Sequence, residues 1–441
     1  MAYGRHFTII IGLMALFFLA PRSGVAQERS YSVLPSPDAW YNRVDGFKVG
    51  VRLLGQVPGT FDGGPHRLRS VVWLGTSIPN YPIGYELEFT EPIKAFSEYG
   101  SEATWSLISG IRSGYYRHGM RVMKRWQPGF DERVYRELQL QSSVSKRFDV
   151  DYAVLEQRWS REQTWNTELR WTDSGKNRFG PSRIGVSASA QWLGTAFFQV
   201  EADVRQSVRL GRAGRLLGRV FGGLITSDRY PEYLYLRSGG PAVDWMQSRF
   251  TEARGTIPPK WIRDGLVHVS SGSIGMGPSL RGAAEQEMQR LRDGDLSGLM
   301  QSVLVFHLEY SFINPIQSYI DRSGYLGEFL GFETYLFGDA GGALLAQDRD
   351  RDLSPDMGLD MGTDLGSDIG PDMDLGPDSG KWLSSAGFGA LLRLSFPGPD
   401  LKTRSLVLRY EIPAWLSDGP GPDHKDIDFR QIVGIGAVIP F

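Results

Sequence analysis

The residues best equipped to do chemistry are an arginine and an aspartate. Arg281 lies in the glycine-rich tip Gly277-Pro278-Ser279-Leu280-Arg281-Gly282-Ala283, and Asp339 lies in Tyr335-Leu336-Phe337-Gly338-Asp339-Ala340-Gly341. In an extended strand successive side chains alternate, so Glu333, Tyr335, Phe337 and Asp339 share one face, and Phe332, Leu336 and Ala340 share the other. That sets a carboxylate into a wall whose opposite face is apolar. Such a charge needs a partner, and a guanidinium can meet it with two parallel hydrogen bonds. The expectation is a structural lock made of Arg281, Gly282 and Asp339. The competing reading leaves Arg281 a solvated loop charge and pairs Asp339 with Arg393 or Arg409.

Other candidates are weaker. Asp348, Asp350 and Asp352 place oxygen ligands at alternate positions, as calcium sites do. They open a run in which Asp recurs every fourth residue from Asp356 to Asp372. Strongly like-charged, glycine-rich sequence cannot bury a core, so disorder is the plainer expectation there. For nucleophilic catalysis a serine needs a histidine beside it. His268 lies near Ser270 and Ser271, and His307 shares a face with Glu309, but both read better as structural polar residues. There is no cysteine, no HExxH and no nucleotide-binding glycine loop, so no enzyme, cofactor or metal centre is expected.

The elements that must position Arg281 and Asp339 are strands. Phe198, Val200, Ala202 and Val204 alternate with Gln199, Glu201, Asp203 and Arg205; Leu304, Phe306, Leu308, Tyr310 and Phe312 alternate with Val305, His307, Glu309 and Ser311. Period two with charges on one face suits a wall between lipid and a polar lumen. Turn residues divide the chain into eleven strands near 41–54, 67–75, 81–92, 103–112, 115–125, 133–147, 148–159, 163–173, 182–193, 195–209 and 214–227. Five more fall near 300–312, 330–345, 382–396, 403–414 and 429–441. The reading is an all-β transmembrane antiparallel barrel of about 16 strands over 41–441. Because no water satisfies a free edge in hydrocarbon, the first strand is expected to pair with the last. With odd strands running outward, 228–299 is an extracellular loop, and so long a connection should pack inside the lumen. Residues 347–380 form a second, Asp/Gly-rich extracellular loop. Residues 313–329 form a long turn at the other end, for which no pattern was found.

Composition agrees. The 441 residues include 54 Gly, 12 Trp, 18 Tyr and 23 Phe, with no apolar run long enough for a spanning helix after Ala20. Arg5, the apolar stretch Thr8–Ala20 and small residues up to Ala26 read as a signal peptide, 1–26, followed by a short periplasmic segment, 27–40. The formal net charge of −2 hides an acidic 348–378 and a mildly basic remainder. No nucleic-acid-binding stripe follows from it.

Residues 275–441 resemble the C-terminal barrel of the bacterial surface antigen superfamily, which includes the barrel-assembly-machinery core protein and two-partner-secretion transporters. Leu280-Arg281-Gly282 matches the family's loop tip, with Ala283 where an aromatic is usual. Phe337-Gly338-Asp339-Ala340-Gly341 matches the strand motif whose aspartate holds that arginine. Ala386-Gly387-Phe388-Gly389, Tyr410-Glu411-Ile412-Pro413 and Tyr41-Asn42-Arg43-Val44-Asp45-Gly46 look like further family strands, and terminal Phe441 resembles the closure signal of outer-membrane proteins. The resemblance implies a monomeric bacterial outer-membrane barrel that assists translocation or insertion of a protein or lipid. The family's polypeptide-transport-associated domains find no room before Tyr41, so a periplasmic capture partner would take their place. The alternative is a passive diffusion channel or structural barrel.

Overall fold

A computed structural model describes residues 31–42, 46–56, 67–129, 131, 133–149, 151, 158–227, 229–247, 267–268, 278, 280–283, 287, 290–291, 295–296, 298–344, 381–397, 403–417, 426–427 and 432–438. The strands, in chain order, are β1 (Ser32–Asn42), β2 (Gly46–Gln56), β3 (Arg67–Gly75), β4 (Ile83–Pro92), β5 (Ser101–Arg112), β6 (Tyr115–Trp126), β7 (Tyr135–Arg147), β8 (Gln163–Asn177) and β9 (Gly180–Leu193). They continue as β10 (Phe197–Arg209), β11 (Arg215–Ile225), β12 (Val267–His268), β13 (Ser302–Phe312), β14 (Leu330–Gly342), β15 (Leu383–Pro397), β16 (Thr403–Leu416) and β17 (Ile432–Val438). All belong to one 17-stranded sheet. Except for the two-residue β12, each pairs antiparallel with its predecessor, and β13 pairs directly with β11.

The distribution of side chains is the reverse of a soluble domain's. On β2 Phe47 and Val49 are more than 60% exposed while Lys48 between them is 3% exposed. On β13 Phe306 and Leu308 are exposed, and His307 and Glu309 are buried. On β7 Leu138 and Leu140 are exposed against buried Gln141, Ser143 and Ser145. Apolar residues outside and polar residues within are the pattern of a barrel wall in lipid. Exposed Trp126, Trp165, Trp192, Trp382 and Trp415 add the aromatic side chains such walls carry near their rims.

Two strand assignments differ from the sequence expectation, and the two errors cancel in the count. No strand is inserted at 148–159: β7 pairs directly with β8, and the described residues there, 148, 149, 151, 158 and 159, belong to no strand. Conversely, Ser32–Asn42 is a strand, paired with β2 from Ser32↔Gln56 to Asn42↔Gly46, where 27–40 was read as a lead segment. Pro35 and Pro37 conceal it, since proline donates no hydrogen bond and usually argues against a strand. The two corrections reverse the direction assigned to the early strands. The tight turn after β5 now lies at the same end as the long connection after β11.

Among the described residues β1 pairs with β2, and β17 pairs with β16 and with β12, through Val267↔Ala437 and His268↔Gly436; the expected last strand, 429–441, lies partly outside the described residues. The signal peptide, Asp348, Asp350, Asp352, the rest of 347–380 and Phe441 lie outside the described residues.

Candidate functional site: a buried arginine hub

The site is built where the loop after β11 returns through the lumen. Tyr235 N–H donates to Met300 O and Met300 N–H to Tyr235 O, both at 2.9 Å, which closes the base of the loop. Leu234, Tyr235, Leu236, Leu280, Ala283, Leu299 and Met300 from the loop pack against Phe221, Val303, Val305 and Leu416 of the wall in one apolar cluster. Among the described residues this is the larger buried apolar cluster, and it lies between loop and wall. Tyr235 reaches across to β10, its hydroxyl donating to Glu201 Oε1 at 2.9 Å and accepting from Gln199 at 2.7 Å. Leu280 N–H donates to Arg237 O, linking the tip to the ascending limb of the loop.

That packing delivers Arg281, fully buried, onto the inner faces of β13, β14 and β16. Its Nε and Nη2 donate to the two oxygens of Asp339, each at 2.6 Å, and its backbone N–H adds a third bond to Asp339 at 3.1 Å. Nη1 donates to Glu309 at 2.8 Å and to Glu411 at 3.0 Å. The guanidinium also lies over the Phe337 ring at 3.6 Å from its centroid. Burial works against the arginine's charge, but the Asp339, Glu411 and Glu309 carboxylates outweigh it and hold the guanidinium well above its ordinary pKa.

Strand alternation makes this convergence possible. Register pairs Glu309 with Phe337 and His307 with Asp339, so odd-numbered residues of β13 and β14 share the lumenal face. Gly389 faces Tyr335 across the β14–β15 pair, and the Tyr335 ring occupies the space that a Cβ on Gly389 would take. The Tyr335 hydroxyl then donates to Glu411 at 2.9 Å. Gly282, next to Arg281, has φ +89°, a conformation side-chain-bearing residues avoid. It lets the chain turn away immediately after the arginine, against Pro413.

A histidine completes the cluster. His307 Nδ1 lies 2.9 Å from Asp339 and its Nε2 lies 2.7 Å from Pro278 O. Arg219 Nη1 also approaches its Nε2, at 3.3 Å. Beside it Arg219 donates to Asp203 at 2.7 Å, and Arg205 binds the same carboxylate. Three acids, Asp339, Glu309 and Glu411, and two bases, Arg281 and His307, therefore meet, held by three strands and the loop tip. The arrangement offers no nucleophile and no group of His, Cys, Asp and Glu fit to hold a metal among the described residues. It can fasten a loop.

The structure brings Arg281, Gly282 and Asp339 together. It places Arg393 elsewhere, beside Glu333 at 3.4 Å. Sequence reading missed the roles of Glu309 and Glu411. The signal for Glu309 was present in its odd position on β13; Glu411 required the β14–β15–β16 register, which spacing alone does not give. A second anchor was also missed: Arg237 contacts Glu287 at 3.4 Å, and the Ser238 N–H and hydroxyl donate to the same carboxylate at 2.9 and 2.5 Å.

No protein-family model matches this chain, and no curated protein matches it in sequence. Among solved structures it is similar to BamA from Haemophilus ducreyi lacking POTRA domains 1–3, at 13% identity and TM-score 0.46, covering 92% of this chain and 70% of that one. It is also similar to CdiB from Acinetobacter baumannii, at 10% identity and TM-score 0.38, covering 94% of this chain and 60% of that one. A bacterial polysaccharide outer membrane secretin matches at 9% identity and TM-score 0.36, covering 92% and 95%.

Proposed function

We propose that this β-barrel sits in the bacterial outer membrane and assists translocation or insertion of a protein or lipid, with the loop after β11 serving as a tethered plug. One observation carries the reading: a fully buried arginine on the loop is bound by carboxylates from three separate strands. A passive pore has no use for so many charges dedicated to keeping its own lumen filled. A gated pathway does, because a buried pair resists loss of either partner, yet its hydrogen bonds can be exchanged for others when a cargo or partner displaces the loop. Surface-antigen-type motifs around Arg281 and Asp339 support the same reading.

Planar-bilayer recording and depletion in the native host test it together. The expected wild-type behaviour is small, flickering conductance, and depletion should remove a defined set of surface proteins or lipids. In Asp339→Ala the loop should become protease-sensitive and the steps larger. Large, steady steps from the wild type, with an unchanged surface inventory on depletion, would favour the passive channel. An Asp339→Ala barrel with a resistant loop and unaltered conductance would remove the lock.

A further inference from the structure

The connection between β13 and β14 is the segment the sequence left without a role. It folds into two short helices, Pro315–Arg322 and Tyr325–Phe329. Asn314 caps the first, its side chain accepting from Gln317 N–H at 2.7 Å, with Pro315 in the favoured first position. The same two side chains bind the wall. Asn314 Nδ2 donates to Phe332 O at 3.1 Å, and Gln317 Oε1 accepts from Phe332 N–H. Where β13 has ended, Asn314 and Gln317 satisfy the backbone of β14 in its place. The helix is thus a fixed continuation of the wall.

Its surface is not that of a solvated turn. Ile316, Tyr319 and Ile320 lie on one side of the helix, and only Ile320 is buried. Ile313, Ile316, Tyr319 and Leu326 are between 50% and 75% exposed. The lumenal side at this end is charged and open: Arg215, Glu333 and Arg393 pair there with side chains one-third to one-half exposed. The outward side is apolar. Leu330, Phe332, Leu392 and Leu394 are half-buried there, whereas Leu336 and Phe388 farther along the same face are exposed. The apolar side of the hairpin is therefore continuous with the lipid-facing band that runs from Leu308 and Phe312 into Ile313.

We propose that the 315–329 hairpin is a membrane-surface anchor, with Ile316, Tyr319 and Leu326 seated at the headgroup boundary of the phospholipid leaflet at the end opposite the plug. An amphipathic helix lying in that plane places apolar residues into the acyl boundary and charged ones, here Asp321 and Arg322, toward water. Tyrosine is favoured at that depth. The anchor would hold β13 and β14, which carry Glu309 and Asp339 of the hub, at a fixed height in the membrane. This rests on the membrane-barrel reading and not on any translocation role.

The chain contains no cysteine, so single spin labels at Ile316→Cys, Tyr319→Cys, Leu326→Cys, Asp321→Cys and the mid-wall Leu336→Cys test it. The full chain is folded into phosphatidylethanolamine–phosphatidylglycerol vesicles, and folding is checked by heat-modifiable mobility. Collision with oxygen relative to a water-soluble nickel chelate should be several-fold higher at positions 316, 319 and 326 than at 321, and highest at 336. Equal, water-like ratios at 316, 319, 326 and 321, with 336 in lipid, would overturn the anchor alone. So would labels at 316 and 319 that leave water only when a periplasmic protein extract is added, which would make the hairpin a protein-binding surface. A water-like ratio at 336 would overturn the barrel's placement as well.

Discussion

On the side formed by β13, β14 and β16, the loop after β11, the proposed plug, is held by a charge whose donors are matched: Arg281 directs three side-chain nitrogens at three carboxylates. On the side formed by β6, β7 and β8, Arg147 is as deeply buried, at 1% exposure, but is treated differently. Its Nε donates to Asp149 O at 2.5 Å and its guanidinium faces the Trp159 ring at 5.4 Å, while Nη1 and Nη2 have no hydrogen-bond partner among the described residues. Next to it lies a narrow cleft lined by Tyr115, Trp159, Glu232 and Tyr233. Glu232, from the plug, accepts from Ser160 N–H at 3.3 Å and leaves Oε2 without a partner there. One loop is thus fastened tightly at its tip and loosely near its start. The difference teaches where the plug would let go first: unsatisfied buried groups favour water entry, so opening should begin at the Arg147 side and the Arg281 hub should break last.

The largest effect that would break this comparison is loss of the hub. Arg281→Met leaves Asp339, Glu309 and Glu411 buried without their cation, and removing one partner of a buried charge cluster costs about 3–5 kcal/mol. Urea unfolding in vesicles should show a loss of that size, and limited proteolysis should find the loop exposed. A variant as stable as wild type with a protected loop would mean the apolar cluster around Tyr235 and Leu280 holds the plug unaided.

The second effect is a pH dependence at the loose end. Burial pushes the Glu232 carboxyl up to about 8. Its native pKa lies above the unfolded value, so the folded state binds the proton more tightly. Stability from this group is fully present below about 4.5, the ordinary glutamate value, falls as pH rises, and is gone above about 8. Loop protection should decline across that window, and Glu232→Gln should flatten the decline. An unchanged slope in the variant would move the titration to another group, such as Asp244 on the same loop, pushed up to about 6 by burial and by neighbouring Glu168.

A smaller effect is expected at Gly282. With φ +89° and Pro413 Cβ 3.1 Å from an added Cβ, Gly282→Ala should cost about 1–2 kcal/mol. The variant should keep the hub intact, seen as an unchanged proteolysis pattern at a lower unfolding midpoint.

How much of this could be read from the residues follows the range of the forces involved. Alternation is local, so β3 to β7, β8 to β11 and β13 to β16 were legible within a few residues, and so was the shared face of His307, Glu309 and Asp339. Arg281 and Asp339 were legible as unlike charges in conspicuous glycine-rich settings. The proline-bearing β1 was not, because its local signal opposes its pairing. Residues 148–159 misled for the opposite reason: their apolar and aromatic residues mimic a strand, whereas Phe148 and Trp159 serve a connection. Glu411 joins the hub only through two successive registers, and no short-range pattern encodes those.

The smallest effect is also the sharpest contrast with the first. Arg147→Met removes a buried cation that no carboxylate holds by a hydrogen bond, so it removes desolvation cost along with charge. Replacing a poorly compensated buried ion by an apolar side chain of similar length is often neutral or stabilising, and the Trp159 contact can be kept by the methionine sulfur. The unfolding midpoint should therefore stay within about 1 kcal/mol of wild type or rise, against the large loss in Arg281→Met. Since the two sites belong to separate strand groups, the double variant should lose the sum of the two changes. A loss in Arg147→Met as large as in Arg281→Met would show that the two ends of the plug are equally fastened, and the order of release inferred from their hydrogen bonds would have to be abandoned.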